Sequence, residues 1–248
     1  MILPLAAMPD CATEFRPFTA CHWIALACCA LVMAGVSIAG VRFRGTSRAV
    51  PFRTGLGWAI LLYKVAETIY ECLPHRFDIA HSLPLQFCDL AAFAAGGALL
   101  TQPRTFRILL YFWGAGLTSL AVLMPTLHAG YLHADFWIFW TSHAMVLAAV
   151  LYDIVVNRFR PTRADFLVAS AWGFAYLAVV TIVNLAFDVN YGFVGNPQSG
   201  NPVAIERIGP WPQRVWKLTA SVALVFLALW QVWSFAALFR RAPAARID

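Results

Sequence analysis

Near the start of one apolar run the chain reads HSLPLQFCDLAAF, which sets Gln86, Cys88 and Asp89 within four residues of each other. A second run, FWTSHAMVL, carries Thr141, Ser142 and His143. A thiol becomes a nucleophile when a base or a positive field favours its thiolate. Cysteine with histidine is the smallest set that moves an acyl group through a thioester, so Cys88 and His143 form the candidate catalytic pair. Asp89, as the next residue, does not share the helical face of Cys88; it is placed to orient a partner or to pair with Lys64 or Lys217. The plainer alternatives are a packed membrane cysteine and a buried histidine bonded to a backbone carbonyl, with Thr141 and Ser142 bonding back into their own helix.

A third run carries Lys64, Glu67 and Glu71. That spacing of i, i+3 and i+7 puts all three on one helical face. They are either an ion pair that neutralises itself and locks helix packing, or a substrate-binding surface. Gln86, Asp89, Asn184, Asn190 and Lys217 complete the candidate binding set, with Gln86 or Asn184 as expected donors to an oxyanion. The six cysteines and six histidines include no metal-ligand spacing, so no metal and no cofactor is expected.

The elements that must position these groups are membrane helices. Of 248 residues 61% are hydrophobic and 12% charged, with a mean hydropathy of +0.69, far from the roughly 25% charge of a soluble domain. A crossing needs about 20 apolar residues, and seven runs qualify, near 20–41, 55–73, 83–100, 106–124, 135–156, 165–187 and 214–238. The expected fold is an all-α polytopic bundle of seven helices over residues 20–238, between an external tail (1–19) and a basic cytoplasmic tail (239–248). The opening residues lack the pattern of a cleaved leader.

The net charge of +6 raises the question of nucleic acid, but position decides against it. Twelve of the 18 Lys and Arg lie in alternate connections: Arg42, Arg44, Arg48 and Arg53; Arg104 and Arg107; Arg158, Arg160 and Arg163; Arg240, Arg241 and Arg246. That alternation places the amino terminus outside and the carboxyl terminus in the cytoplasm. The Arg- and Ala-rich composition points to a bacterial inner membrane. In this topology the polar groups above gather in one outer layer, as an outward-opening pocket. Asp153 is the exception, expected to pair with Arg158 or a neighbour. Cys11, Cys21 and Cys72 sit at the outer face, where a disulfide is permitted, with the pairing open. The long segment DVNYGFVGNPQSGNPVAIERIGPWPQRVWK is expected to fold over the outer mouth.

LPLQFCDLAAF, YFWGAGLTSLAVLMP, FWTSHAMVL, NYGFVGNP and GPWP, in that order over about residues 55–238, resemble the YwaF-like integral membrane family, which includes the eukaryotic transmembrane-protein-164 proteins. The resemblance implies acyl transfer onto phospholipids, with the family's cysteine and histidine falling on Cys88 and His143. The chain departs from the family motif at Gln86, where a histidine is common. Membrane lipids are the expected partners. The competing readings are a lipid hydrolase on the same Cys-His pair, a transporter or ligand-binding membrane protein built on Lys64, Glu67, Glu71 and Asp89, and a seven-helix receptor or photoreceptor. The transporter predicts polar groups continuing to the cytoplasmic side; the photoreceptor is disfavoured by Lys217, which lies near a helix end.

Overall fold

The computed structural model describes residues 10–200 and 203–241, with side chains placed over 11–200 and 205–235. The first nine residues, and the expected basic tail beyond residue 241 with Arg246, lie outside the described residues. Long helices dominate: α1 Ala20–Phe43, α2 Ala49–Glu71, α3 Phe87–Thr101, α4 Arg104–Leu123, α5 Ala134–Val155, α6 Arg163–Phe187 and α7 Gln213–Arg241. Among the described residues there is no strand, only an isolated bridge between Glu14 and Ala129. Five of these helices (α1, α4, α5, α6 and α7) are both long and apolar enough to cross a membrane. The two that fall short hold Cys88 and the Lys64–Glu67–Asp89 cluster of the candidate site: α2 carries Arg53, Lys64, Glu67 and Glu71, and α3 has only 15 residues.

α3 lies centrally, packed on α2, α4 and α5. Its sequence FCDLAAFAAGGALLT explains why, because small residues let neighbouring backbones approach closely where lipid offers no hydrophobic drive. Ala91, Ala95, Ala98 and Leu99 are fully buried, and Gly96 lies against the side chain of Leu61, leaving no room for a Cβ. α1 packs on α5, with Gly40 under the ring of Tyr152. α6 and α7 expose Ile182, Leu185, Leu224 and Val232, as helices bathed in lipid do.

α4 is a single rod in which nine residues, Leu110–Thr118, are π-helical. No signal in the sequence announces it, and such segments often mark functional sites.

At the α4 N-terminal end the charges are locked in pairs. Asp153 is paired with Arg107 (both carboxylate oxygens at 3.0 Å) and accepts from Asn157 at 2.8 Å; Arg158, the expected partner, occupies a left-handed turn instead. Arg104 holds Asp165 through two bonds of 2.8 and 2.6 Å. Arg44 donates to the carbonyls of Val155, at 2.6 Å, and Val156, and Arg53 donates to that of Leu99. Both arginines thereby satisfy carbonyls that a helix end leaves without partners, those of α5 and α3.

The segment before α1 is not a free tail. Cys11 and Cys21 form a disulfide, while Cys28, Cys29, Cys72 and Cys88 are free thiols. Phe15 is 1% exposed, wedged among His22, Phe136 and Trp140.

Candidate functional site

The site begins where α3 begins. Its N-terminal N–H groups lack helical partners, and the chain meets this with Asp89, whose Oδ2 accepts from the Gln86 N–H at 2.9 Å. A carboxylate there also suits the positive end of the helix dipole. The other oxygen of Asp89 takes the ammonium of Lys64 from α2, so one side chain caps α3 and ties it to its neighbour.

Lys64 is 5% exposed and also donates to Glu67 Oε1 at 2.9 Å. One cation thus sits between two carboxylates, leaving a formal charge of −1. Glu67 Oε2 is buried and has no hydrogen-bond partner. Charges in such surroundings persist only when paired, and here one is left over.

His143 enters the same layer from α5 and is 5% exposed. Its Nδ1 lies 2.7 Å from the Phe139 carbonyl and its ring stacks on that of Phe139, centroids 4.1 Å apart. A carbonyl only accepts, so Nδ1 carries the proton and Nε2 presents a lone pair. That Nε2 is buried without a partner. His143 is close enough to Asp89 and Lys64 to interact with their charges, and Cys88 interacts with Asp89, Lys64 and Glu67. No hydrogen bond joins Cys88 to His143 among the described residues. Ser142 bonds back to the Phe139 carbonyl at 3.2 Å, as expected of a helical serine.

The remaining candidates have other partners. Glu71 turns outward to Arg76 (3.2 Å), which also binds Asp135 at 2.6 Å. Burial opposes the charge of Arg76, but the two carboxylates outweigh it and raise its pKa above the ordinary value. Asn184 is spent on structure: Oδ1 accepts from the Tyr191 N–H at 2.8 Å and Nδ2 donates to the Tyr191 carbonyl at 2.9 Å. Both ends of the amide are thereby held by the backbone of Tyr191, with one Nδ2 hydrogen outside these two bonds. Asn190 accepts from the Gly195 N–H at 2.9 Å, and Lys217 donates to the Ile208 carbonyl at 2.8 Å. Gln86 Oε1 accepts from the Gly192 N–H at 3.1 Å.

These bonds fold the long segment between α6 and α7 over the start of α3. Tyr191 is fully buried; its hydroxyl donates to the Ile79 carbonyl at 2.7 Å and accepts from the Leu83 N–H at 3.0 Å, pinning the α2–α3 connection as well. Tyr176 donates to the Leu85 carbonyl at 2.8 Å and packs on Phe87 with centroids 3.9 Å apart. Arg214, 1% exposed, donates to the carbonyls of Phe193, at 3.1 Å, and Gly195. The sequence marks this segment as unusual but does not single out Tyr176 or Tyr191, since aromatic residues recur throughout the chain. A cavity of about 240 Å³ lies between α6 and this segment, lined by Thr181, Asn184, Asp188, Asn196 and Trp211. The Lys64–Asp89 layer is closed by comparison: the side chains of Glu67 and Asp89 are 15% and 13% exposed.

A relay across the bundle would need polar groups between this layer and the Asp153 pair. On α5 the two are ten residues apart, roughly 15 Å at 1.5 Å per residue, and the buried residues between them are Ala144, Val146, Leu147, Ala148, Ala149, Val150 and, next to Asp153, Tyr152, whose hydroxyl is the one polar side-chain group among these. Among the described residues no group of His, Cys, Asp and Glu is arranged to hold a metal ion.

No curated protein and no solved structure matches the chain. The TMEM164 family does, over residues 17–233, which takes in the helices and connections described above and makes this chain a multi-pass membrane protein of the TMEM164 family.

Proposed function

We propose that the protein transfers an acyl chain between membrane lipids through a thioester on Cys88, with His143 as the base. The observation that carries this reading is the His143 ring. Its tautomer is set by the Phe139 carbonyl, and a lone pair is left buried and unpartnered in the layer that holds the free Cys88 thiol. Cys88 Sγ attacks the ester carbonyl carbon of a lipid while its proton passes to His143 Nε2. The ester C–O bond then breaks, the proton returns to the departing alkoxide, and a lysolipid leaves. An acceptor hydroxyl attacks the thioester in the reverse sequence, losing its proton to Nε2 and freeing the thiol. Closure between Cys88 and His143 accompanies substrate entry, since catalytic contacts often tighten only in the complex. The Lys64–Glu67–Asp89 ion pairs hold α2 and α3 in register around the thiol.

The orientation that goes with this reading has seven crossings, α2 and α3 included, with the amino terminus outside and the site in the outer half of a bacterial inner membrane. The Cys11–Cys21 disulfide supports it, because such bonds persist in oxidising compartments and this one lies on the side poor in arginine. The transporter reading loses ground to the apolar interval along α5.

The test uses the purified protein in nanodiscs with a phospholipid whose acyl chain ends in an alkyne. A hydroxylamine-labile label on the wild-type protein is expected, absent from Cys88→Ala and formed about 10²–10⁴-fold more slowly in His143→Ala. A label that survives Cys88→Ala refutes the thioester.

A further inference from the structure

The proposed chemistry needs a donor for the oxygen that becomes negative, and both donors expected from the sequence also carry structural bonds. Asn184 holds the Tyr191 backbone through both ends of its amide, and Gln86 accepts from the Gly192 N–H through Oε1, so both side chains are anchored in the segment that covers α3. Another donor is present in Trp113, which is 3% exposed and whose indole Nε1 is buried with no hydrogen-bond partner. Buried donors are almost always satisfied, so each exception wants a reason. Leaving one unpaired costs about 1–3 kcal/mol, and a phenylalanine would have packed there without that cost.

Ser37, Arg76 and Trp140 also carry unpaired buried atoms; two further observations single out Trp113. It stands within the π-helical segment Leu110–Thr118, a local departure from α-helix that re-aims side chains. And its ring packs edge-on against Phe87 with centroids 5.2 Å apart and lies 6.2 Å from Tyr176. Phe87 immediately precedes Cys88 on α3, and Tyr176 packs on Phe87 with centroids 3.9 Å apart, so the indole belongs to the aromatic cluster at the start of α3.

We infer that the Trp113 indole N–H is the catalytic donor to the acyl carbonyl of a lipid ester, polarising it in the bound state and stabilising the oxyanion formed when Cys88 attacks. The inference rests on the acyl-transfer reading for its second half only; a carbonyl site at Trp113 stands by itself. A buried indole suits a neutral ester, since it offers one directed proton and no charge to desolvate.

The experiment has two readouts on the intact protein in nanodiscs. The chain has 10 tryptophans, and the indole N–H resonance of Trp113 in ¹⁵N-labelled protein is assigned by its loss in Trp113→Phe. It is followed on addition of a non-hydrolysable amide analogue of an acyl lipid and, separately, of a chain-matched ether that has no carbonyl. The rate at which the alkyne lipid acylates Cys88 is compared between wild type and Trp113→Phe, with alkylation of Cys88 by N-ethylmaleimide as a check on fold and thiol access. A downfield shift with the amide alone, together with acylation slowed about 10²–10³-fold at unchanged alkylation, is the expected result. An indole indifferent to the amide, or acylation in Trp113→Phe within threefold of wild type, overturns the catalytic assignment while Cys88 acylation itself stands. A shift with the amide in a wild-type protein that never acylates Cys88 supports the carbonyl site and instead removes the thioester chemistry.

Discussion

Lys64 lies between two carboxylates, and the three side chains respond unequally to removal. Replacing Lys64 with Met keeps the apolar stem and deletes the cation, leaving Asp89 and Glu67 as buried carboxylates with no counter-charge. Breaking a buried pair this way costs about 3–5 kcal/mol; in a protein of this size roughly 2–4 °C of melting temperature accompanies each kcal/mol, so Lys64→Met is expected to melt about 6–20 °C lower. Glu67→Gln does the opposite to the charge balance. It leaves the Lys64–Asp89 pair intact, removes the surplus negative charge, and gives the unpartnered Oε2 position to an amide. Its cost is expected to stay within about 1 kcal/mol. Asp89→Asn falls between, losing a cap worth about 1 kcal/mol and weakening one arm of the pair while Lys64 keeps Glu67. The measurement is thermal unfolding of the three variants in the same nanodisc preparation. The expected order of stability is Glu67→Gln, then Asp89→Asn, then Lys64→Met. Should Glu67→Gln lose as much stability as Lys64→Met, the surplus-charge argument is wrong and all three groups act as one inseparable network.

Tyr191→Phe strips two buried backbone groups, the Leu83 N–H and the Ile79 carbonyl, of their partner; a loss of about 1–3 kcal/mol is expected to show as faster limited proteolysis between residues 188 and 212. Arg107→Met leaves Asp153 buried without its cation and is expected to cost about 3–5 kcal/mol, whereas the partly exposed Arg76→Gln is expected to cost at most about 1 kcal/mol and to become indistinguishable from wild type in 1 M salt. Reducing the Cys11–Cys21 disulfide, which closes a short loop, is expected to lower stability by about 2–3 kcal/mol, read as a drop in melting temperature on adding dithiothreitol.

The sequence was most informative where physics demands repetition. Apolar runs of membrane length made an all-helical membrane protein plain, and the i, i+3 spacing of Lys64 and Glu67 left open both the ion pair that the structure contains and a substrate-binding surface. It was less informative where one group had several equivalent partners. Asp153 had a nearby arginine at Arg158, but Arg107, distant in sequence, takes it, because ion pairs follow packing rather than proximity along the chain. Asn184 was legible as a polar group in the outer layer, but its anchoring of the Tyr191 backbone was not, since that bond depends on how the long segment folds. The π-helical turn around Trp113 was not legible at all, since LYFWGAGLT satisfies an α-helical pattern equally well.

The clasp between Arg44 and the carbonyl end of α5 has a consequence for how the protein is made. Its two ends are separated by 111 residues, which at a synthesis rate of about 5–20 residues per second is a wait of the order of ten seconds. His22, whose Nε2 lies 2.8 Å from the Val122 carbonyl, waits nearly as long. During that interval α1 is in the bilayer with the faces that later meet α4 and α5 uncovered. The disulfide before it, needing only residues 11 and 21, and the bond from the Phe18 N–H to His22 Nδ1 at 3.0 Å are native links that α1 can form without waiting. α1 meets α2 early, through Phe43 and Phe52, but its face toward α4 and α5 is among the last to be covered, and an insertase that shelters that face until α5 emerges would act on the step most exposed to misassembly.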